Sequence, residues 1–219
     1  MSDPRQKGKR PKIVLFVMAD PLPRTLPQSG LARLAGLATL RDMNTAALLP
    51  LLSGRIMGVD PGLRVTGYSV LEARLGGPHV CEAGVIRTAD DAETTDVGKR
   101  IAVLYDGIVE ILQQYRPQTM VVEQLFAHYN HPRTAILMGH ARGVILLAAA
   151  QHNVPVVSYT APRIKKTITG SGRASKDQMQ RAMKRELQLP KIPEPHDVAD
   201  ALAAALCHYY QTRLPGAKS

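Results

Sequence analysis

Three apolar runs follow one another from residue 55, "RIMGVD", "VTGYSVLEA" and "HVCEAGVIR". Short turn signals separate them, "PG" after the first and "RLGGP" after the second, so they read as three strands of an antiparallel meander. Helical spacing then takes over. Ile101, Leu104, Tyr105, Ile108, Ile111, Leu112 and Tyr115 recur three and four apart until Pro117 stops them. Beyond lie a compact run "TMVVE", a helix through "AILMGHARGVILLAAAQ", a strand at "VPVVS" and a short helix around residues 164–168. A loop "GSGRAS" leads into the helix "KDQMQRAMKREL", with Ser175 as its N-cap. After the prolines of "LPKIPEP", Val198, Leu202, Ala205, Leu206 and Tyr209 form the apolar stripe of a last helix. Strands that alternate with helices after a meander bury both faces in one way, as an α/β sandwich around a single mixed sheet.

The first 54 residues do not share this regularity. They hold six of the sixteen prolines and no Glu, and they keep no sustained period of two or of 3.6. They read as a disordered basic extension, or as sequence upstream of a start at Met57. Residues 55–212 are then the folded domain and 213–219 a flexible tail. "KGKRPKIVLFVMADP" imitates a secretion signal, but Asp20 and Pro21 end its apolar core after seven residues and no small-residue cleavage pattern follows. No run of about 18 apolar residues is present, so no membrane span is expected.

The 219 residues are 45% apolar, as in an ordinary globular protein. Cys81 and Cys207 lie far apart without a CxxC or His-rich neighbour, which suggests neither a disulfide framework nor a zinc site. A reducing, cytoplasmic location is the expectation. The net charge is +10, but residues 1–56 contribute three Lys and six Arg against three Asp, so most of it lies ahead of the domain. Charge alone is therefore a weak argument for nucleic acid.

Carboxylates stand where folding alone would not place them. Asp60 ends the first strand, Glu123 ends "MVVE", and Asp197 and Asp200 lie at i and i+3 on one face of the last helix. Taken singly, Asp60 before Pro61 and Gly62 is a turn residue, and acids in a first helical turn suit its dipole. Glu123 has no such role, since Glu is a poor strand residue. If the first and fourth strands are parallel neighbours, Asp60 and Glu123 leave the sheet at one edge, where α/β sheets place ligands. A terminal helix across that edge would bring Asp197 and Asp200 to them. Four carboxylates together call for divalent cations, and oxygen ligands without Cys select Mg²⁺ or Mn²⁺. Two such ions would serve phosphodiester cleavage. His196 beside the pair is a possible proton carrier or a surface cap-region residue.

"GVDPGLRVTGY", "VVEQLF", "GHARGV" and "HDVADALA", in this order and spacing, resemble the RuvC family of Holliday junction endonucleases in the RNase H-like superfamily. The resemblance spans residues 56–210. It implies an RNase H-like fold with a mixed five-stranded sheet flanked by helices, and a homodimer that makes paired, symmetric nicks in a four-way DNA junction during recombination and repair. Asp60, Glu123, Asp197 and Asp200 match the family's metal-binding catalytic acids, serving two Mg²⁺ or Mn²⁺ ions per active site. Because some members carry His at the first position of the terminal pair, Asp197 and His196 compete for that role. Phe126 matches an aromatic wedge, and Lys165 and Lys176 match basic residues in DNA contact. A branch-migration motor of the RuvA and RuvB type is the implied partner.

On the residues themselves, Phe126 is either core or a stacking wedge. The loop "FAHYNHPRT", with Tyr129 and Arg133, suits DNA contact. Lys165, Lys166 and Lys176 flank a glycine-rich loop able to approach phosphates, although Lys166 reads better as solvated surface. Gly139 and Gly143 inside a helix are costly unless something packs closely there, as at a dimer interface. Two rivals are weaker. A nucleotide-binding protein of the actin and sugar-kinase superfamily needs a duplicated domain, and "GSGRASK" is no phosphate-binding loop. A junction-binding module without catalysis would not need four intact acids.

Overall fold

The computed structural model describes residues 12–18, 54–74, 76–88, 96–124 and 132–213. Six strands and five helices follow in chain order: β1 (Lys12–Met18), β2 (Arg55–Asp60), β3 (Val65–Arg74), β4 (Gly77–Arg87), α1 (Val97–Tyr115), β5 (Thr119–Glu123), α2 (Pro132–Gln151), β6 (Val156–Tyr159), α3 (Ala161–Thr169), α4 (Lys176–Glu186) and α5 (His196–Arg213). The strands form one mixed sheet in the order β1-β4-β3-β2-β5-β6. β2, β3 and β4 are the expected antiparallel meander. β5 joins β2 in parallel and β6 joins β5 in parallel, each reached through a helix.

From β2 onward the sheet has the five strands the sequence calls for. The sixth, β1, lies within the stretch read as irregular and pairs antiparallel with β4 at the sheet's edge. Its run "KIVLFVM" is rich in β-branched and aromatic residues, which fit a pleated surface. It was hard to recognise because an edge strand leaves part of that apolar surface open: Val14 and Leu15 are exposed.

Each face of the sheet buries its own core, and the period of two sorts the residues. Met57, Val59, Tyr68, Val70, Met120 and Val122 face α1 and α2, meeting Leu104, Ile108, Ile111 and Ile145. Ile56, Leu71, Val85 and Val121 face α3, α4 and α5, meeting Ile164, Met183, Val198, Leu202 and Leu206. Between sheet and α1 the buried Glu82 carboxylate accepts hydrogen bonds from the hydroxyls of Tyr68 (2.8 Å) and Tyr115 (2.7 Å).

Cap chemistry fixes the helix ends. The Asp96 side chain accepts from Lys99 N–H at the start of α1, and Arg116 closes its end in a left-handed conformation whose N–H donates to Leu112 O. Ser175 and Gln178 form a reciprocal capping box on α4, as the sequence predicts for Ser175. α2 is long and apolar enough to cross a membrane by length and composition, a feature the scan for apolar runs passes over. Here one side of it packs into the sandwich through Ala141, Ile145, Ala148 and Ala149, while Ile136 (60%) and Leu147 (52%) stay exposed.

Candidate active site

Parallel pairing of β2 with β5 puts Val59 opposite Val122, so Asp60 and Glu123 leave the sheet side by side at one edge. Alternation assigns Asp60 to the face of Ile56 and Gly58, and Glu123 to the face of Val121, which is the face that α5 covers.

Two glycines set how closely α5 lies. A Cβ on Gly58 would strike the carbonyl oxygen of Ala201, and one on Gly67 would strike that of Asp197. The alanine-rich inner face of α5, with Ala201, Ala204 and Ala205 buried, complements those gaps. Ser69 Oγ, two residues along β3 from Gly67, donates to Ala201 O at 2.9 Å. Backbone thus meets backbone, and the first turn of α5, with Asp197 and Asp200, lies over the edge held by Asp60 and Glu123. Gln180 secures the approach by donating from Nε2 to Pro193 O at 2.7 Å in a buried contact.

The turn after Asp60 is closed by Thr66. Its Oγ1 donates to Gly62 O (2.6 Å) and accepts from Gly62 N–H (3.3 Å), and the Val65 carbonyl occupies the space of a Cβ on Gly62. This turn buries Pro61 and Leu63 while Asp60 stays half-buried.

The electrostatics record how near the acids are to one another. Burial holds the Asp60 carboxyl well above its usual range, and the charges of Asp200, Glu123 and Asp197 push it the same way. Glu123 is raised by burial and then by Asp200. Asp200 is raised by burial and by Asp197, against the opposing charges of Lys176, His196 and Lys165. Lys165 from α3 and Lys176 from the first turn of α4 therefore stand within electrostatic reach of the acids, as the sequence reading expects. Arg163, which donates to Gln211 Oε1 (3.0 Å) and lies 5.1 Å from the Tyr159 ring centroid, ties α3 to α5 and β6.

The donor set is oxygen-rich and suits a hard divalent cation. His196 Nδ1 is buried beside it without a hydrogen-bond partner. Among the described residues no three His, Cys, Asp or Glu side chains close on a single ion position as they stand. The acids face one another across a space instead of gripping one point.

Comparison with known proteins decides what this edge belongs to. Residues 56–208 match the family model "Crossover junction endodeoxyribonuclease RuvC". The chain belongs to the RuvC family. RuvC of Rhodopirellula baltica is 48% identical over 162 residues, covering 73% of this chain and 88% of that protein. RuvC of Desulforamulus reducens is 44% identical over 153 residues, covering 70% and 91%. Among solved structures, Thermus thermophilus RuvC in complex with Holliday junction substrate superposes with a TM-score of 0.65 at 28% identity, covering 73% of this chain and 95% of that one.

Within this RuvC-family fold, Asp60, Glu123, Asp197, Asp200, Lys165 and Lys176 come together at one edge. Arg133 is exposed at the start of α2. Phe126 and Tyr129 lie outside the described residues. Lys166 is exposed, in keeping with a solvated role. Sequence reasoning missed Arg142, whose guanidinium donates to Glu123 O (2.6 Å) and Ser158 Oγ (2.8 Å) and so clamps the ends of β5 and β6. The available signal was a lone Arg in the middle of an otherwise apolar helix.

Proposed function

We propose that this chain is a structure-selective endonuclease that resolves Holliday junctions by paired, symmetric nicks in DNA recombination and repair. The observation that carries the proposal is the meeting of Asp60, Glu123, Asp197 and Asp200 at one sheet edge in a RuvC-family chain. That a relative was solved with Holliday junction substrate supports the choice of DNA.

In this reading Asp60 and Glu123 from the sheet, with Asp200 and Asp197 from α5, hold divalent cations, two per site and Mg²⁺ or Mn²⁺ by their chemistry. When bound, such ions supply an activated water and stabilisation of the leaving oxygen. The residues then have separate tasks. The four carboxylates accept positive charge that offsets their mutual repulsion. Lys165 and Lys176 hold phosphate next to them, Arg133 contacts the backbone at the rim, and Phe126 stacks on bases at the crossover. His196 is the proton carrier, with its buried Nδ1 uncommitted to any protein partner.

The nuclease unit is residues 55–212, acting in the cytoplasm as a homodimer with a RuvA and RuvB type motor as partner. The open face of α2 supports the dimer. Nothing in the chain stands within 4 Å of a Cβ on Gly139 or Gly143, and Ile136 and Leu147 flank them unburied. A second copy would find small residues for close approach and large ones to bury, with two sites related by the two-fold symmetry of the junction.

The test is cleavage of a synthetic four-way junction with Mg²⁺ or Mn²⁺, with linear duplex as competitor. Junction-selective nicking that EDTA abolishes is the expected result. Cleavage indifferent to EDTA, or equal on duplex, would sink the reading.

A further inference from the structure

β1 enters the sheet at the edge that carries the acids, and this follows from register alone. Asp60 pairs with Gly67, Val65 pairs with Arg87, and Arg87 pairs with Lys12. The backbone of Lys12 is thus three strand spacings from that of Asp60, about 15 Å at ~4.8 Å per strand, which is less than the width of a DNA duplex. The residues joined to Lys12 on its N-terminal side read "MSDPRQKGKRP", with Arg5, Lys7, Lys9 and Arg10 against Asp3. The family match begins only at residue 56, so this segment lies outside it.

Three further observations fit an anchored basic arm better than an incidental strand. A Cβ on Gly84 of β4 would strike the Val14 carbonyl oxygen, so the β4 backbone is bare where β1 lies against it. Lys191, from the segment between α4 and α5, places Nζ 4.9 Å from the Phe16 ring centroid and pins β1 from the side. Lys12 and Arg87 stand directly opposite each other, a like-charged pair that is unfavourable across strands unless an anion offsets it. Arg64, exposed in the turn after Asp60, adds a third cation at this edge.

We propose that β1 anchors the basic N-terminal segment at the active-site edge, where Arg5, Lys7, Lys9, Arg10 and Lys12 hold phosphates of the DNA substrate. This rests on the endonuclease reading and adds a DNA contact that the family-matched region does not contain. The segment recognises backbone charge and not sequence, so it contributes affinity and salt dependence and leaves the cutting step alone.

The experiment measures binding of a fluorescent four-way junction to the full chain in EDTA, across a series of salt concentrations. The triple variant Lys7→Gln, Lys9→Gln, Arg10→Gln is compared with the unaltered protein and with Arg116→Gln, whose charge lies at the opposite end of the sheet. The triple variant flattens the slope of log affinity against log salt by roughly two to three, Arg116→Gln leaves it unchanged, and cleavage at saturating protein stays the same in all three. Leu15→Pro, which keeps every cation but disrupts the β1 ladder, flattens the slope as well. If the full chain binds the junction and the triple variant keeps its slope, the arm is overturned and the endonuclease reading stands. If Leu15→Pro keeps the slope, the anchoring by β1 is overturned. A full chain that binds no junction overturns the endonuclease reading and the arm with it.

Discussion

The carbonyl oxygen of Asp197 occupies the place where Gly67 would carry a side chain. That contact joins β3 to the first turn of α5, so the position of the acidic pair depends on an absent methyl group. Gly67→Ala must push α5 off the sheet. We expect a loss of about 1–3 kcal/mol and a Tm lower by about 2–10 °C in thermal denaturation. Junction cleavage should fall further than stability alone explains, because Asp197 and Asp200 move away from Asp60.

Asp60→Asn should abolish cleavage and retain junction binding, and it should also stabilise the metal-free protein. Burial and neighbouring charge raise the carboxyls of Asp60, Glu123 and Asp200 above their ordinary values of 3.8 for Asp and 4.5 for Glu. A raised carboxyl means that the folded state binds the proton more tightly than the unfolded state does. Its stabilising contribution is complete below the ordinary value and is lost as pH rises through the raised one. The Tm advantage of Asp60→Asn over the unaltered protein should therefore be small near pH 4 and grow towards neutrality. Adding Mg²⁺ at pH 7 should raise the Tm of the unaltered protein and narrow that gap. A gap independent of pH would show that the acids do not repel one another.

Arg142 holds Glu123 by its backbone and not by its carboxylate. Arg142→Lys removes the fork that reaches Glu123 O and Ser158 Oγ together. Cleavage should drop about tenfold, the effect of some 1.4 kcal/mol, with junction affinity held in a binding assay. A matching loss of affinity would place Arg142 on the DNA instead.

The open face of α2 predicts the state of assembly. Ile136→Glu combined with Leu147→Glu should give a folded monomer by sedimentation, with unaltered circular dichroism and loss of paired nicking. If the unaltered protein also sediments as a monomer, α2 has another role.

Glu82 predicts a defect of stability alone. Gln at this position offers one carbonyl acceptor to two buried phenol donors and brings an NH₂ donor against one of them. Glu82→Gln should cost about 1–3 kcal/mol in denaturant unfolding and leave the junction affinity of the folded fraction unchanged.

Much of this fold was legible because apolar period and function point the same way from Arg55 onward. The helical spacing from Ile101 to Tyr115 and the run "TMVVE" announce their elements, and a strand ending in Glu123 without a turn role announces a site. What stayed hidden depends on contacts between distant residues. Nothing near Arg142 in sequence says that it reaches Glu123 O, and nothing near Gly67 says that Asp197 stands over it. β1 was hidden for a different reason: a seven-residue apolar run between basic residues and Asp-Pro has the same local pattern whether it pairs with a sheet or not. Only Gly84, some seventy residues away, shows the space it fills.

The parallel β2 and β5 pair and the docking of α5 have a consequence for the order in which this molecule becomes dangerous to DNA. Its acids come from residues 60, 123, 197 and 200, and the last two sit on the final described helix. A chain still emerging from the ribosome can form the meander, α1 and β5 while holding only Asp60 and Glu123. The constellation closes when the helix of residues 196–213 settles on Gly58 and Gly67. An unfinished or half-unfolded copy is thereby disarmed, and the ability to cut appears together with the completed fold.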